Sequence, residues 1–370
     1  MKHSAKDLSL ILIFTLLTCL PFLVWPLLQP SLEGENTENR NLTEAPAFSL
    51  ETVSEYPAAF EGYLNDHMPF RSLMIQGNNA LKYHVFHTSS NDNVIIGKNG
   101  WLFYAAENSP AFYNGQKRYT EEQLALMADN LIRFRDYLAE REIQLLVMIA
   151  PNKERVYAEY LPDSFGPPAE DCALNQVLTV LRERTDIPVV CPLDAILAAK
   201  GQYPERLTYH PTDTHWNSWG AYLGIREMMS GLELPFEEEN IQVEVVPDEP
   251  GDLANMLNLA GLIQPGTSCN VSGYEEATTA VTEYDFFGAI RFAAPDAFNI
   301  GKLLMYRDSF CTAMAPILGH LFTESCMMHY HSVTPDLVET EKPDYVVVEL
   351  VERSMDILLD LSAWFPEKAE

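Results

Sequence analysis

The run Gln144-Leu145-Leu146-Val147-Met148-Ile149-Ala150, closed by Pro151, decides the fold. After its first residue it is wholly apolar, too short for an ordinary buried helix, and bounded by a residue that cannot donate to a ladder. Those features suit a strand covered on both faces. Outward from it, Ile187–Cys191, Lys302–Tyr306, Cys326–His331 and Asp344–Leu350 read the same way. Between these runs the apolar residues fall at helical spacing. Thr120-Glu121-Glu122-Gln123 is a capping box, followed by Leu124, Met127, Leu131, Phe134 and Leu138 on one face. Leu174, Val177, Leu178 and Leu181 form a second helix. Others are expected from Asn217 to about Gly231, over Thr312–Leu321 and over Pro335–Lys342. Strands interleaved with helices predict an α/β fold, a three-layer α/β/α domain on a parallel five-stranded sheet, over residues 91–355. Residues 232–300 alternate less clearly and read as an insertion. Asn99-Gly100, between Asn93–Gly97 and Trp101–Tyr104, is a hairpin signal.

The chain has 370 residues and a formal net charge of −29, with 47% hydrophobic and 21% charged residues, near globular averages. Only Lys2, Lys6 and Asp7 carry charge before residue 29, so the remainder is slightly more acidic than the whole. Such a body is repelled by nucleic acid, which excludes that class of partner. Leu8–Leu28 holds no charged residue and is long enough to cross a bilayer, which needs about 20 apolar residues. Basic residues before it and Glu33, Glu35 and Glu38 after it predict residues 1–7 as a cytoplasmic tail and residues 8–28 as a transmembrane anchor. The body is then extracytoplasmic. A cleaved signal peptide is the competing reading; the long apolar core and the lack of a prompt small-x-small site favour the anchor. Residues 29–90 read as a linker and a helical extension, and 356–370 as a C-terminal tail. Outside the anchor lie Cys172, Cys191, Cys269, Cys311 and Cys326, an odd number without Cys-x-x-Cys spacing. This speaks against a disulfide framework, although Cys172 and Cys191 are placed so that they could pair.

Two segments carry chemistry. Tyr209-His210-Pro211-Thr212-Asp213-Thr214-His215-Trp216-Asn217 precedes one helix, and Tyr306-Arg307-Asp308-Ser309-Phe310 leaves a strand before another. Ligands of open parallel sheets bind beyond the carboxyl ends of the strands, where Ser309 is expected. A serine there needs a base, and a histidine base needs a carboxylate to fix its tautomer; His215 and Asp213 can supply both. A plainer reading makes Asp308, Ser309 and Asp213 capping and turn residues. A metal reading groups His210, Asp213 and His215, with His329 and His331 as a second pair. No cofactor is called for by any motif.

The ordered set Glu38-Asn39-Arg40, Asn65-Asp66-His67-Met68-Pro69-Phe70-Arg71, Gly97–Tyr104, Ala150-Pro151-Asn152-Lys153, Thr212–Asn217, Asp308-Ser309-Phe310, Pro343-Asp344 and Glu352-Arg353 resembles the DHHW family of bacterial exported proteins. That family is related to the alginate O-acetylation proteins of the SGNH hydrolase-like superfamily. The resemblance implies Ser309 as nucleophile, His215 as general base and Asp213 as its orienting carboxylate. It leaves Asn152 and Asn217 as oxyanion candidates, and Arg307 and Tyr306 as substrate-binding ones. Arg307 stands where SGNH hydrolases usually have glycine, so its side chain would crowd the site or bind an acidic sugar. The implied activity is O-acetyl transfer to a cell-envelope or secreted polysaccharide, with a membrane-bound O-acyltransferase as donor partner. A carbohydrate acetyl esterase, or a non-catalytic polysaccharide-binding component, remains as the alternative.

Overall fold

The computed structural model describes residues 5–32, 42–49, 52–275, 279–297 and 299–366. Glu38-Asn39-Arg40 lies outside these. The chain divides into two compact units, one of residues up to 90 with 255–262, the other of residues 91–254 and 263–370.

In the first unit a helix runs over Ala5–Leu32, and its Lys6–Val24 stretch is long and apolar enough to cross a membrane. Helices Tyr56–Asp66 and Arg71–Leu81 follow. The Asp66 carboxylate accepts the Thr43 backbone N–H at 2.9 Å and its hydroxyl at 2.7 Å, and the His67 ring stacks on Tyr63. Asn79 donates to the Leu257 carbonyl at 2.9 Å, which ties in the 255–262 segment.

Among the described residues the second unit carries eleven strands. They are β1 (Val94–Ile96), β2 (Leu102–Tyr104), β3 (Gln144–Ala150), β4 (Val189–Val190), β5 (Gln242–Pro247), β6 (Thr267–Ser272), β7 (Ala280–Tyr284), β8 (Ala289–Ala293), β9 (Asn299–Arg307), β10 (Phe322–His329) and β11 (Tyr345–Val351). The main sheet has the order β4-β3-β11-β9-β10-β8-β7. Its first five strands are parallel and are the five that the apolar runs predict. The expectation of a parallel five-stranded sheet is nevertheless corrected: β8 and β7 extend it antiparallel, giving a mixed sheet of seven. Both come from the 232–300 insertion. Every residue of β7 is exposed, so it offers no two-sided apolar run to read. The rest of the insertion pairs β5 with β6 in a separate ribbon. β1 and β2 form the expected hairpin, with Asn99 and Gly100 both at positive φ.

Alternation along the strands divides the core. Leu146, Met148, Met305 and Val347 face one layer, with helices Ser218–Gly231 and Cys311–Leu321. Leu145, Val147, Leu304, Tyr306 and Val346 face the other, with helices Glu121–Ala139 and Ala173–Arg184. The capping box at Thr120 and Gln123 is formed. All six cysteines are free; Cys172 and Cys191 are not joined.

Charged groups are sealed at the carboxyl ends of the central strands. Arg155 donates to both oxygens of Glu352, from Nε at 2.9 and 3.1 Å and from Nη2 at 2.5 Å. On β11, Glu349 Oε2 accepts the Asp308 N–H at 3.3 Å while Oε1 is buried without a hydrogen-bond partner among the described residues. Burial, and then the charge of Asp308, push the Glu349 carboxyl well above the usual range.

Two outcomes are expected. Arg155→Met leaves the Glu352 carboxylate buried and unpaired, and should cost about 3–5 kcal/mol in urea unfolding; a loss below about 1 kcal/mol would show the pair to be dispensable. For Glu349 the folded state binds more protons than the unfolded one above about pH 4.3, so its contribution to stability falls as pH rises from there. Glu349→Gln should therefore gain in Tm relative to the parent protein as pH increases. A gap moving the other way contradicts a protonated Glu349.

Candidate active site

The segment Tyr209–Trp216 folds into a narrow loop closed by a bridge between those two residues, with His210 N–H on the His215 carbonyl at 3.3 Å. Within it the Asp-x-His spacing has a local cause. Asp213 Oδ1 accepts the backbone N–H of His215 at 2.9 Å, a side-chain turn two residues long, and this brings its carboxylate to His215 Nδ1 at 2.7 Å. Because the carboxylate only accepts, Nδ1 carries the proton and the Nε2 lone pair faces outward. Nε2 stands 2.8 Å from Ser309 Oγ. The three residues singled out by their order in the sequence thus meet in one hydrogen-bonded line.

Ser309 is the second residue after β9, between the strand and helix Cys311–Leu321. Asp308 builds its turn: Oδ1 accepts the Phe310 N–H at 2.9 Å and Oδ2 the Val351 N–H at 2.6 Å. Burial raises the Asp308 carboxyl despite those two bonds. The Ser309 backbone N–H has no partner among the described residues. Trp216, fully buried, donates Nε1–H to the Phe310 carbonyl at 2.8 Å and packs edge-on against the Phe310 ring, which docks the histidine loop on the serine loop.

Around Asp213, burial alone would raise the carboxyl. The hydrogen bond and charge of His215 and the N–H groups of Asp252 and His215 prevail, and hold it well below the ordinary range. Asp252 N–H donates to Asp213 Oδ2 at 2.8 Å, and Asp252 Oδ1 accepts the Thr214 N–H at 2.7 Å. The Asp252 carboxylate also lies 3.8 Å from His215 Nδ1, and burial followed by the charge of Asp213 push it up. Gly251 makes this approach feasible: a Cβ there would sit 2.3 Å from the Asp213 Cβ. Ligand atoms of Asp213, His215 and Asp252 lie within 4.8 Å of one another, a grouping that could hold a metal ion. His215 Nδ1 is turned to Asp213 in that group, so a cation would have to displace the proton that fixes the tautomer. His210, which the metal reading included, points instead to Asp248 at 2.8 and 3.0 Å.

The remaining sequence candidates go different ways. Asn152, buried at the end of β3, accepts from Arg353 Nη1 at Oδ1, 3.2 Å, and its Nδ2 has no hydrogen-bond partner among the described residues. The Arg353 guanidinium lies 5.2 Å from the Phe310 ring, so Asn152 is linked to the serine loop through it. Asn217 is corrected: Oδ1 caps the next helix on the Trp219 and Gly220 N–H groups, and Nδ2 donates to the Leu207 carbonyl, leaving no amide for an oxyanion. Tyr306 is also corrected. It points into the opposite layer, stacked on Trp364, because strand alternation turns it away from the site. Arg307 neither crowds the site nor meets solvent. It is fully buried and donates to backbone carbonyls, principally Phe286 at 2.7 Å. Two groups were not anticipated. Lys153, buried, donates to the carbonyls of Leu102, Pro211 and Asp213 at 2.6, 2.9 and 2.7 Å. Burial brings its ammonium down to about 7 against the opposing charges of Asp213 and Asp252. Asp252 is the other; it sits in the insertion, where no periodicity marks it.

Comparison with known proteins places the domain. Residues 94–289 match the family model described as SGNH hydrolase-like domain, acetyltransferase AlgX; the matched range includes Asp213 and His215 and ends before Ser309. The probable alginate O-acetylase AlgJ of Azotobacter vinelandii is 30% identical over 219 residues, 56% of this chain and 52% of that protein. The chain therefore spans about half the length of the curated relatives it matches. Among solved structures, PatB1 of Bacillus cereus superposes with a TM-score of 0.57 at 15% identity, covering 73% of this chain and 99% of that one. A DHHW family protein from Eubacterium siraeum gives 0.51 at 16%, covering 71% and 94%. At such identities these two share the fold. The chain belongs to the family of the SGNH hydrolase-like domain of the acetyltransferase AlgX.

Proposed function

We propose that this protein is a membrane-anchored, extracytoplasmic O-acetyltransferase that uses Ser309, His215 and Asp213 to acetylate hydroxyls of a cell-envelope or secreted polysaccharide. The observation that carries this reading is the line Ser309 Oγ, His215 Nε2, His215 Nδ1, Asp213 Oδ1, with contacts of 2.8 and 2.7 Å at its two joints. In the first half-reaction His215 Nε2 takes the Ser309 proton as Oγ attacks the carbonyl carbon of an acetyl donor. Asp213 stabilises the imidazolium that forms. The Ser309 N–H and Asn152 Nδ2, unengaged among the described residues, are donors for the developing oxyanion. Collapse expels the donor's leaving group, which takes the proton back from His215, and an acetyl ester remains on Ser309. In the second half a sugar hydroxyl gives its proton to His215 and attacks that ester; collapse breaks the bond to Ser309 Oγ, which takes the proton back from His215, and the acetyl group passes to the polysaccharide.

The names of the relatives, probable alginate O-acetylases, support O-acetylation of a polysaccharide as the reaction class. A membrane-bound O-acyltransferase is the proposed donor partner, and helix Ala5–Leu32 the proposed anchor. The His215 side chain is 27% exposed, which gives water access to the same centre. That exposure favours acetyl-ester hydrolysis as the second reading, and transfer prevails where acceptor excludes water.

Ser309→Ala and His215→Ala should each lower activity on a small acetyl ester by at least about 10³-fold with the fold intact. Asp213→Asn should lose roughly 10²–10⁴-fold through the wrong tautomer. A sulfonyl fluoride should label Ser309 in a peptide mass map. Activity that survives Ser309→Ala disproves the mechanism. Added acceptor should shift product from free acetate to acetylated sugar, and a product ratio unmoved by acceptor would leave the esterase. Deleting residues 1–30 should move the protein from the membrane to the soluble fraction.

A further inference from the structure

The turn Asp285-Phe286-Phe287-Gly288 joins β7 to β8 beyond the carboxyl ends of β9 and β10. Each of its carbonyls is held. Arg307 Nη2 donates to Phe286 at 2.7 Å, with longer contacts of 3.4 and 3.5 Å to Asp285 and Gly288. Ser332 Oγ donates to Phe287 at 2.7 Å, and His329 N–H to Gly288 at 2.9 Å. Inside the turn, Asp285 Oδ1 accepts the Phe287 N–H at 3.0 Å. The side chains do the opposite: Phe286 is 39% and Phe287 73% exposed, edge to face at 5.0 Å. A loose turn would fold two such rings inward. This one is fixed with its rings out by a buried guanidinium that forms no ion pair among the described residues, a costly arrangement for a cation.

The rings continue past the end of β10. Phe287 lies 6.3 Å from the His329 ring, His329 4.7 Å from Tyr330, and Tyr330 4.1 Å from His331. Tyr330 directly follows β10, and β10 lies beside β9, the strand that leads to Ser309. In register His329 pairs with Arg307, and Gly288 accepts from His329. The turn therefore stands two strand spacings from β9, about 10 Å, a distance that a short oligosaccharide spans.

We propose that Phe286, Phe287, Tyr330 and His331 form an acceptor subsite for a neutral pyranose chain, with Arg307 as the residue that positions it. The inference rests on the acyl-transfer reading of Ser309 and says where the acceptor lies. A pyranose ring has a C–H face and a hydroxyl edge. The negative face of an aromatic ring takes the first, and the Tyr330 hydroxyl and His331 ring nitrogens meet the second. None of the four residues is a Lys or Arg, and the chain carries −29, so an anionic polymer gains nothing here. Arg307 then has a role that glycine at its position cannot fill.

The test uses the full chain in detergent, with cellohexaose as the neutral probe and oligomannuronate of equal length as the anionic one. In a Ser309→Ala background, calorimetry should show cellohexaose binding more tightly than oligomannuronate. Adding Phe287→Ala should weaken cellohexaose by on the order of tenfold, and Phe287→Tyr should restore it. In the active protein, Phe287→Ala should lower the ratio of kcat/KM for transfer to cellohexaose over kcat/KM for a small acetyl ester by a similar factor, through KM. Absence of cellohexaose binding, a preference for oligomannuronate, or numbers unchanged by Phe287→Ala (as for a strip that docks a protein) overturn the subsite. If Ser309→Ala leaves esterase activity standing, the acyl-transfer reading fails alone, and the calorimetry still decides the subsite.

Discussion

The ammonium of Lys153, sealed from water just past β3, holds the site together. Its three N–H donors go to three carbonyls, Leu102 on the hairpin strand β2 and Pro211 and Asp213 on the histidine loop. An ammonium has three donors and no acceptor, so its capacity is filled. The Trp101 and Phe103 rings lie 5.2 Å from the same nitrogen and exclude solvent from it. Burial makes the charge costly, which is why the group is brought down to about 7, and the carbonyl dipoles are the compensation. Deleting the side chain would take a donor from three carbonyls, with the Leu102 N–H still on the Pro211 carbonyl at 2.9 Å. The position of Asp213 thus depends on a residue 60 positions earlier in sequence.

From that fixed point the other restraints follow. Lys153 sets the backbone of Asp213, Asp252 and the Asx turn set its carboxylate, and Trp216 sets the loop against Phe310. Each restraint acts on a different atom, so none duplicates another. The electrostatics separate accordingly. Asp213, with N–H donors and an imidazole, is held ionised, whereas Asp308 and Glu349, under the strand ends, are driven toward the neutral form. Carboxyl groups of one kind are given opposite states by their surroundings, and the ionised one is in contact with His215.

How much of this was legible follows from the range of each signal. Runs such as Leu145–Ala150 declare a strand because covering on both faces leaves a continuous apolar stretch, so the five parallel strands could be read directly. β7 could not, since Ala280–Tyr284 is exposed throughout and owes its place to pairing with β8. Asp213, His215 and Ser309 were legible because two of them share a local turn and the third ends a readable strand. Tyr306 and Arg307 were misjudged from their nearness to Ser309 in sequence, when one faces the opposite layer and the other runs beneath the β7–β8 turn. Asn217 fell to a shorter-range use, the cap of the helix it precedes. Lys153 and Arg353 stood in motifs that could be quoted, but their partners are distant in sequence and appear only once the chain is folded.

The two antiparallel strands are more than an extension of the sheet. Five parallel strands leave their exit loops at one end, and each such loop must start a crossover that returns the chain. An antiparallel pair added at the edge is free of that demand: β7 runs up, β8 runs down, and only a short turn occupies the carboxyl end. A short turn can be fixed completely, as its four engaged carbonyls are, where a long crossover entry cannot. The guanidinium needed to fix it must come from an inner strand at the same level, and β9 reaches that level at Arg307. Two residues later β9 delivers Ser309. The spacing between the residue that fixes the turn and the residue that stands in line with His215 is therefore set by one strand end, so neither can shift along the sheet without carrying the other.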